Sequence, residues 1–162
     1  MINEIRRIAA EAGDAIMKTY DGPAQVETKE DNSPLTQADR AAHNCIVAAL
    51  TALTPDIPVL SEESEGISSE ERMSWNRFWL VDPLDGTKEF INKRSAFTVN
   101  VGLIIEGVPS LGMIYAPARD EFFTGVVCPA TGERAASVIR NGHQNSLSVR
   151  SIPDDGVVVV GS

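Results

Sequence analysis

Acidic side chains follow two apolar segments of the 162-residue sequence, at the point where each segment ends. Glu62 and Glu63 come directly after PVLS, and Asp82 and Asp85 come after FWLV. Hard cations such as Mg²⁺ prefer oxygen ligands, which carboxylates at strand ends supply. Two such ions ~3.5–4 Å apart can stabilise both the attacking and the leaving oxygen of a phosphoryl transfer. The pattern predicts a metal site that processes phosphate.

The loop DPLDGT adds features that suit this chemistry. Pro83 has no N–H and stiffens the turn between the two aspartates. The turn can aim the carbonyl of Leu84 at a cation, and Gly86 permits positive φ and the close approach of a ligand. Thr87 begins a predicted short helix, TKEFI, whose first N–H groups form an anion site. One loop could thus hold metal on one side and phosphate on the other.

Each of these features also has a structural interpretation. DPLDG is rich in turn-forming residues, and a Glu pair is a common solvated end of a strand. Asp39 lies three residues after Thr36, in the form TQAD, and could serve only as the acid of a capping box. Three further side chains are interpreted as surface or structural residues: Lys88, His43 and His143.

The elements that would position these residues are two helices followed by strands. Apolar residues from Ile2 to Ile16 recur at helical spacing, and Asp21-Gly22-Pro23 ends this helix. A weak strand is predicted over residues 24–29 and a second helix from near Thr36. Strands are predicted in these segments: IPVLS, RFWLVD, AFTVNVGLIIEG, VPSLGMIYAPA, DEFFTGVV, NSLSVRS and DDGVVVVGS. Glu106-Gly107 and Arg119-Asp120 are predicted hairpin turns. The class is α+β.

Composition excludes several other functions. The formal net charge of −9 disfavours non-specific nucleic-acid binding, which needs clustered Lys and Arg. Cys45 and Cys128 are in no CxxC spacing, so we predict neither a disulfide nor a zinc site but buried free thiols. No apolar run approaches the ~20 residues that span a bilayer. Acidic residues near the N-terminus argue against a signal peptide. A cytoplasmic location is the default expectation, with peripheral association at the inner face of the membrane as an alternative.

Three segments together resemble the inositol monophosphatase superfamily of Mg²⁺-dependent, lithium-sensitive phosphatases. They are DNSPLTQAD at 31–39, VLSEES at 59–64 and WLVDPLDGTKEF at 79–90. The resemblance implies a layered αβαβα sugar-phosphatase-type fold, here its N-terminal half, with two helices packed on an antiparallel sheet. DNSP and DGTKEF most resemble the 3'(2'),5'-bisphosphate nucleotidase branch. That branch implies hydrolysis of 3'-phosphoadenosine 5'-phosphate to AMP and phosphate, in sulfate assimilation, with two or three Mg²⁺ ions.

The resemblance also implies residue roles. The implied metal ligands are Glu62, Asp82, the main-chain carbonyl of Leu84, and Asp85. The implied catalytic residues are Asp39, Glu62 and Thr87, of which Asp39 and Thr87 orient and deprotonate the attacking water. The implied substrate contacts are Glu62, Leu84, Asp85, Gly86 and Thr87, the last two through their N–H groups.

One family motif, WDxAAG, is not found in the sequence, since Asp follows neither Trp75 nor Trp79. We therefore expect residues 1–162 to form an N-terminal metal- and phosphate-binding domain without the C-terminal domain, and with weak or no turnover. GVVVVGS resembles a core strand without cover, which favours self-association or a missing C-terminal half. An inositol or sugar monophosphatase and a non-catalytic fragment that needs a partner chain remain alternatives.

Overall fold

The computed structural model describes residues 1–22, 26–28, 34–128, 130–149, 151–154, 156, 157 and 159. The first helix, α1 (Ile2–Tyr20), ends at Asp21 as predicted. Its buried positions recur every three or four residues: Ile5, Ile8, Ala9, Ala12, Gly13 and Ile16. This spacing places them on one face, which packs on the second helix and on the sheet.

The second helix, α2 (Gln37–Leu53), begins where the sequence predicted. Thr36 is its N-cap and forms a complete capping box with Asp39. The buried face of α2 carries small and aliphatic side chains, Ala38, Ala42, Ile46 and Leu50. Small residues let α2 lie close to α1 and to the strand that ends in the two aspartates.

Nine strands are present in the described part of the chain. A two-stranded hairpin joins β1 (Val26–Thr28) to β2 (Pro34–Thr36). The other strands form one sheet in chain order: β3 (Val59–Ser61), β4 (Arg77–Asp85), β5 (Thr98–Ile105), β6 (Val108–Ala116), β7 (Glu121–Val127), β8 (Arg134–Arg140) and β9 (His143–Ser146). Two short helices interrupt them, α3 (Ser69–Ser74) before β4 and α4 (Thr87–Ile91) after it.

The sheet is mixed, which corrects the expectation of a purely antiparallel sheet. β3 and β4 pair in parallel, with Ser61 opposite Val81, and all later neighbours pair antiparallel. The reason is the long connection through α3, which brings the chain back to start β4 in the same direction as β3. Parallel pairing also places the acidic ends of both strands at one edge of the sheet. The α+β class is confirmed.

Side chains alternate between the two faces of this sheet. The covered face packs against α1 and α2 and carries large buried residues: Trp79, Val81, Val99, Val101, Leu103, Leu111, Met113 and Tyr115. The open face carries the alternate positions, among them Leu80, Gly102, Ile104, Gly112 and Ile114. Leu80 and Ile114 are 47% and 46% exposed, so this face reaches solvent.

Two tight turns follow the expected chemistry, and a third was not predicted. Glu106 and Gly107 have φ of 50° and 76°, and Asp120 has φ of 51°, so both predicted hairpin turns are confirmed. Asn141 and Gly142 also have positive φ and join β8 to β9. β8 itself, RAASVIR, was missed by the sequence analysis.

Of the two C-terminal strand predictions, NSLSVRS is confirmed at residues 145 and 146, which lie in β9, and both are wrong at the other positions that can be compared. β9 ends at Ser146, so residues 147–149 of NSLSVRS are not strand, and residue 150 lies outside the described residues. In DDGVVVVGS, Gly156, Val157 and Val159 are not strand, and the two valines are 71% and 85% exposed. Residues 155, 158 and 160–162 lie outside the described residues. An apolar run alone does not make a strand when no neighbour pairs with it.

No helix in the described ranges is long and apolar enough to cross a bilayer. Cys45 and Cys128 are both free and only partly buried, which corrects the expectation of buried thiols. Burial raises the pKa of Cys45, whereas a hydrogen bond from Thr131 lowers the pKa of Cys128.

Candidate active site

The first turn of α2 places Asp39 against the loop that follows β4. Asp39 is 2% exposed. Its Oδ2 accepts a hydrogen bond from the N–H of Thr36 at 2.7 Å and another from the hydroxyl of Thr36. Its Oδ1 lies 3.3 Å from Oγ1 of Thr87. The capping-box interpretation is therefore confirmed, and the same carboxylate also contacts a predicted site residue 48 positions along the chain.

The DPLDGT loop is an irregular end of β4. Pairing with β5 shifts register between Asp82 and Asp85, which forms a bulge around Pro83. The N–H of Leu84 donates to Oδ1 of Asp82 at 3.2 Å, so the first aspartate is fixed by its own turn. The carbonyl of Leu84 lies 3.2 Å from Oγ1 of Thr87. The Thr87 hydroxyl thus has two acceptors, Asp39 and Leu84.

Gly86 is required at the start of α4. Its φ is 90°, a conformation that side-chain-bearing residues rarely adopt. A Cβ atom there would lie 2.9 Å from the carbonyl oxygen of Ala96 and 3.2 Å from Cα of Phe97. The chain therefore passes closely over the segment before β5, and Thr87 begins the helix directly afterwards, as predicted.

Glu62 lies beside Asp82 because of the parallel pairing of β3 and β4. The N–H of Glu62 donates to the carbonyl of Val81 at 2.9 Å, one residue before Asp82. Burial raises the pKa of Asp82 to about 7, and the negative charges of Glu62 and Asp85 and a hydrogen bond with Glu62 add to this effect. Three acidic residues at this end of the sheet are close enough to affect one another.

Asp85 is exposed and contacts a residue that the sequence analysis did not select. Its Oδ2 accepts a hydrogen bond from Nδ2 of Asn100 at 3.2 Å, and Oδ1 of Asn100 accepts one from Thr98 at 3.1 Å. Asn100 is the amide residue within the mostly apolar run FTVNVGL. An amide side chain within an otherwise largely apolar strand was the signal that could have identified it.

The acidic side chains do not form a preformed cage. Within the described ranges, no three side chains of His, Cys, Asp or Glu lie together so that they could hold a metal ion. Glu62 and Asp82 are instead joined by a hydrogen bond, and Asp85 is turned to Asn100. The structure brings Glu62, Asp82 and Asp85 to one edge, and separately brings Asp39 and Thr87 together beside it.

Aromatic packing holds α4 in place beneath this loop. Phe90 is 1% exposed, and its ring centroid lies 5.5 Å from that of Tyr20 and 5.4 Å from that of Phe97. Lys93 donates to the carbonyls of Tyr20 and Gly22 at the end of α1. The position of Thr87 is therefore tied to the core and not only to its own loop.

This fold and this arrangement of acids match a known family. Residues 1–151 match the model of the inositol monophosphatase family, and the chain belongs to that family. It is 53% identical over 126 residues to the "3'(2'),5'-bisphosphate nucleotidase CysQ" of Escherichia coli O6:H1, covering 76% of this chain and 51% of the relative. It is 55% identical over 119 residues to the protein of that name from Salmonella typhimurium, covering 72% and 48%.

Solved structures agree with this assignment. The structure titled CysQ from Bacteroides thetaiotaomicron has a TM-score of 0.65 at 39% identity, over 93% of this chain and 50% of that one. The extragenic suppressor protein SuhB from Bartonella henselae has a TM-score of 0.69 at 31% identity, over 82% and 50%. The chain thus spans about half the length of the relatives it matches.

Proposed function

We propose that this chain carries the metal- and phosphate-binding half of a Mg²⁺-dependent phosphatase that converts 3'-phosphoadenosine 5'-phosphate to AMP and phosphate. The observation that carries the proposal is the contact between Asp39 and Thr87 beside the acidic loop of β4. The bisphosphate nucleotidases at about half sequence identity support the choice of substrate.

The residues that would hold the ions are Glu62, Asp82, Asp85 and the carbonyl of Leu84. The fit rests on charge: the pKa of Asp82 is raised to about 7 by burial and by its acidic neighbours Glu62 and Asp85. A divalent cation relieves that repulsion and favours the ionised carboxylates. Bound there, two or three Mg²⁺ ions would neutralise phosphate oxygens and lower the pKa of a coordinated water.

Asp39 and Thr87 are the proposed route for the proton of that water. The Thr87 hydroxyl can accept a proton from water as it passes its own proton to Oδ1 of Asp39, 3.3 Å away. Oδ2 of Asp39 is already occupied by two hydrogen bonds from Thr36, so Oδ1 is the oxygen that faces the reaction. General base catalysis of this kind contributes ~10²–10⁴-fold to a rate.

The turn at Gly86 is the proposed phosphate cradle. Its left-handed conformation and the start of α4 bring the N–H groups of Gly86 and Thr87 to the same loop as the acids. Phosphate oxygens would accept hydrogen bonds from these groups, as at other glycine-containing loops that precede helices. Glu62, Leu84 and Asp85 are the remaining proposed substrate contacts.

The open face is the proposed docking surface for the remaining half of such a protein, supplied by the same polypeptide or by another. A stripe of small residues crosses four strands in direct register: Gly102, Gly112, Gly125 and Ala136. A groove of about 700 Å³ runs along this face from Pro109 and Ile114 to Glu62 and Asp82. A helix laid on the small residues would bury the exposed Leu80 and Ile114 and close the site from above.

This proposal leads us to expect slow turnover from the 162 residues alone. The test is phosphate release from 3'-phosphoadenosine 5'-phosphate with Mg²⁺, with and without lithium, beside inositol 1-phosphate. Asp39→Asn should abolish any release, whereas Asp56→Asn, at an exposed acid, should not change it. Faster release from inositol 1-phosphate would favour a monophosphatase, and no Mg²⁺ binding at all would favour a non-catalytic protein. A cytoplasmic location remains part of the proposal.

The docking proposal has its own test. The second half of a relative is added to this chain, and association is measured by light scattering. Gly112→Leu fills the small-residue stripe and should weaken association, whereas Ala130→Leu, in the loop between β7 and β8, should not. Equal association of both variants would contradict the assignment of this face.

A further inference from the structure

His43 lies between the two acidic turns without belonging to the proposed machinery. It is four residues after Asp39, so the two side chains project from the same face of α2. Asp39 reaches the β4 loop at Thr87, and His43 reaches the end of β3, where its Nδ1 lies 2.9 Å from Oγ of Ser61. One helix face therefore contacts both acid-bearing turns.

Ser61 is the first residue of a closed turn over residues 61–64. The N–H of Ser64 donates to the carbonyl of Ser61 at 3.0 Å, and the N–H of Ser61 donates to Oγ of Ser64 at 3.2 Å. Ser61 is 3% exposed, so its hydroxyl depends on a protein partner for its hydrogen bond. Glu62 is the second residue of this turn, so the conformation of the turn determines the direction of its side chain.

We propose that His43 is a positioning residue that sets the direction of Glu62 through Ser61. The hydrogen bond from the rigid helix fixes the side chain of Ser61, and the two bonds within the turn transmit that constraint to the backbone of Glu62. The link to metal binding rests on the proposed function of Glu62. The positioning itself concerns only the geometry of the turn and can be measured without metal.

The alternative hypothesis is that His43 contributes only to the overall stability of the fold. The two hypotheses differ in which backbone amides lose protection when His43 is substituted. Loss of general stability accelerates amide exchange throughout the sheet by a common factor, whereas loss of a local constraint accelerates it only in the turn.

The first experiment is amide hydrogen exchange by NMR on the metal-free 162-residue chain. His43→Ala should lower the protection of the Glu62 and Ser64 amides about two- to tenfold, the range for one lost hydrogen bond, with β5 and β6 unchanged. His43→Asn places a polar atom near the position of Nδ1 and should restore protection. Asn44→Ala is the matched control, since it is the next residue of α2 and also gains helix propensity.

A double substitution tests whether the effect passes through Ser61. If His43 acts on Glu62 by way of the Ser61 hydroxyl, His43→Ala should change nothing further in a Ser61→Ala background. Additive changes in the two variants, an unchanged turn, or a uniform change across the sheet would each overturn the proposal.

The second experiment uses Mn²⁺ as the probe, with binding followed by electron paramagnetic resonance. His43→Ala should raise the apparent Kd about tenfold, as loss of a residue that orients a ligand does. An unchanged Kd with a loosened turn would overturn the link to Glu62. If the unmodified chain binds no Mn²⁺, the metal assignment fails, while the exchange data still decide the role of His43.

Discussion

The two faces of the seven-stranded sheet are built from the same strands, yet their side chains differ greatly in size. The covered face carries Trp79, Val81 and Met113, each at most 2% exposed, against α1 and α2. The open face carries glycines at the matching positions of neighbouring strands, with Leu80 half exposed at the end of the row. Side-chain packing on the covered face fixes the positions of the acid-bearing turns, whereas the open face leaves room for another helix or strand.

This difference indicates that the two faces contribute to separate properties. Substitutions on the covered face should change the stability of the chain and the geometry of Asp39 and Thr87. Substitutions on the open face should change little in the isolated chain and act on docking. Pairs of matched substitutions, one from each face, test that separation.

The largest contrast is expected between neighbouring residues of β4. Trp79→Ala removes a fully buried ring and its hydrogen bond to Oγ1 of Thr54, and should cost ~3–5 kcal/mol of unfolding free energy. Leu80→Ala, on the open face, should cost about 1 kcal/mol or less. Urea denaturation of both variants measures the two losses. Similar losses would show that the open face is also packed in the isolated chain.

Substitution by alanine should have opposite effects on stability at a glycine that packs against the covered face and at a glycine on the open face. A Cβ atom on Gly13 of α1 would lie 2.3 Å from Cε1 of Tyr115, so Gly13→Ala should destabilise by about 1–3 kcal/mol. No atom lies within 4 Å of a Cβ built on Gly112. Gly112→Ala should therefore stabilise the isolated chain by about 0.5–1 kcal/mol. Thermal unfolding of the pair checks the signs, and a destabilised Gly112→Ala chain would break the contrast.

Two helix caps offer a smaller contrast. Thr36→Ala removes the N-cap of α2, whose face is buried, and should cost ~1 kcal/mol. Ser68→Ala removes the N-cap of α3, which buries no residue, and should cost about 0.5 kcal/mol or less because α3 can unfold alone. Chemical denaturation gives both values. A larger loss from Ser68→Ala would indicate that α3 supports the fold.

The last contrast concerns alkaline pH. Burial, with Asp120 nearby, raises the pKa of Tyr115 to about 12, above its ordinary value of 10.0. Between these two pKa values the folded state keeps a proton that the unfolded state loses. The stabilisation from Tyr115 is therefore complete below the pKa of the unfolded state, and it is lost as pH rises toward the pKa of the folded state. Unfolding free energies of the native chain and of Tyr115→Phe should converge over that interval. Parallel pH profiles would contradict the shift.

Local sequence signals predicted much of the fold. The helices were predictable because TQAD is a capping box and the apolar periods of α1 and α2 are regular. The turn at Glu106-Gly107 was predictable from its residue types. The hairpin of β8 and β9 was missed although Asn141-Gly142 is a strong turn signal, because β8 is mostly exposed and lacks apolar alternation.

Properties that depend on pairing could not be predicted. No local sequence pattern indicates that β3 pairs in parallel with β4. This pairing places Glu62 beside Asp82. The valines near the C-terminus have strand propensity but lie exposed at the described positions. Asp39 and Thr87 meet across 48 positions, which the resemblance implied but the residue pattern alone did not.

The single helix face that touches both turns also constrains how the sequence can change in length. Asp39 and His43 are separated by four residues, about 6 Å along the helix axis. A one-residue insertion or deletion between them would rotate one side chain by roughly 100° relative to the other. The helix would remain a helix, yet it could contact only one of the turns. Insertions and deletions in homologous sequences should therefore be absent from residues 40–42. They should be concentrated in hairpins such as Glu106-Gly107, where no pair of side chains depends on helical spacing.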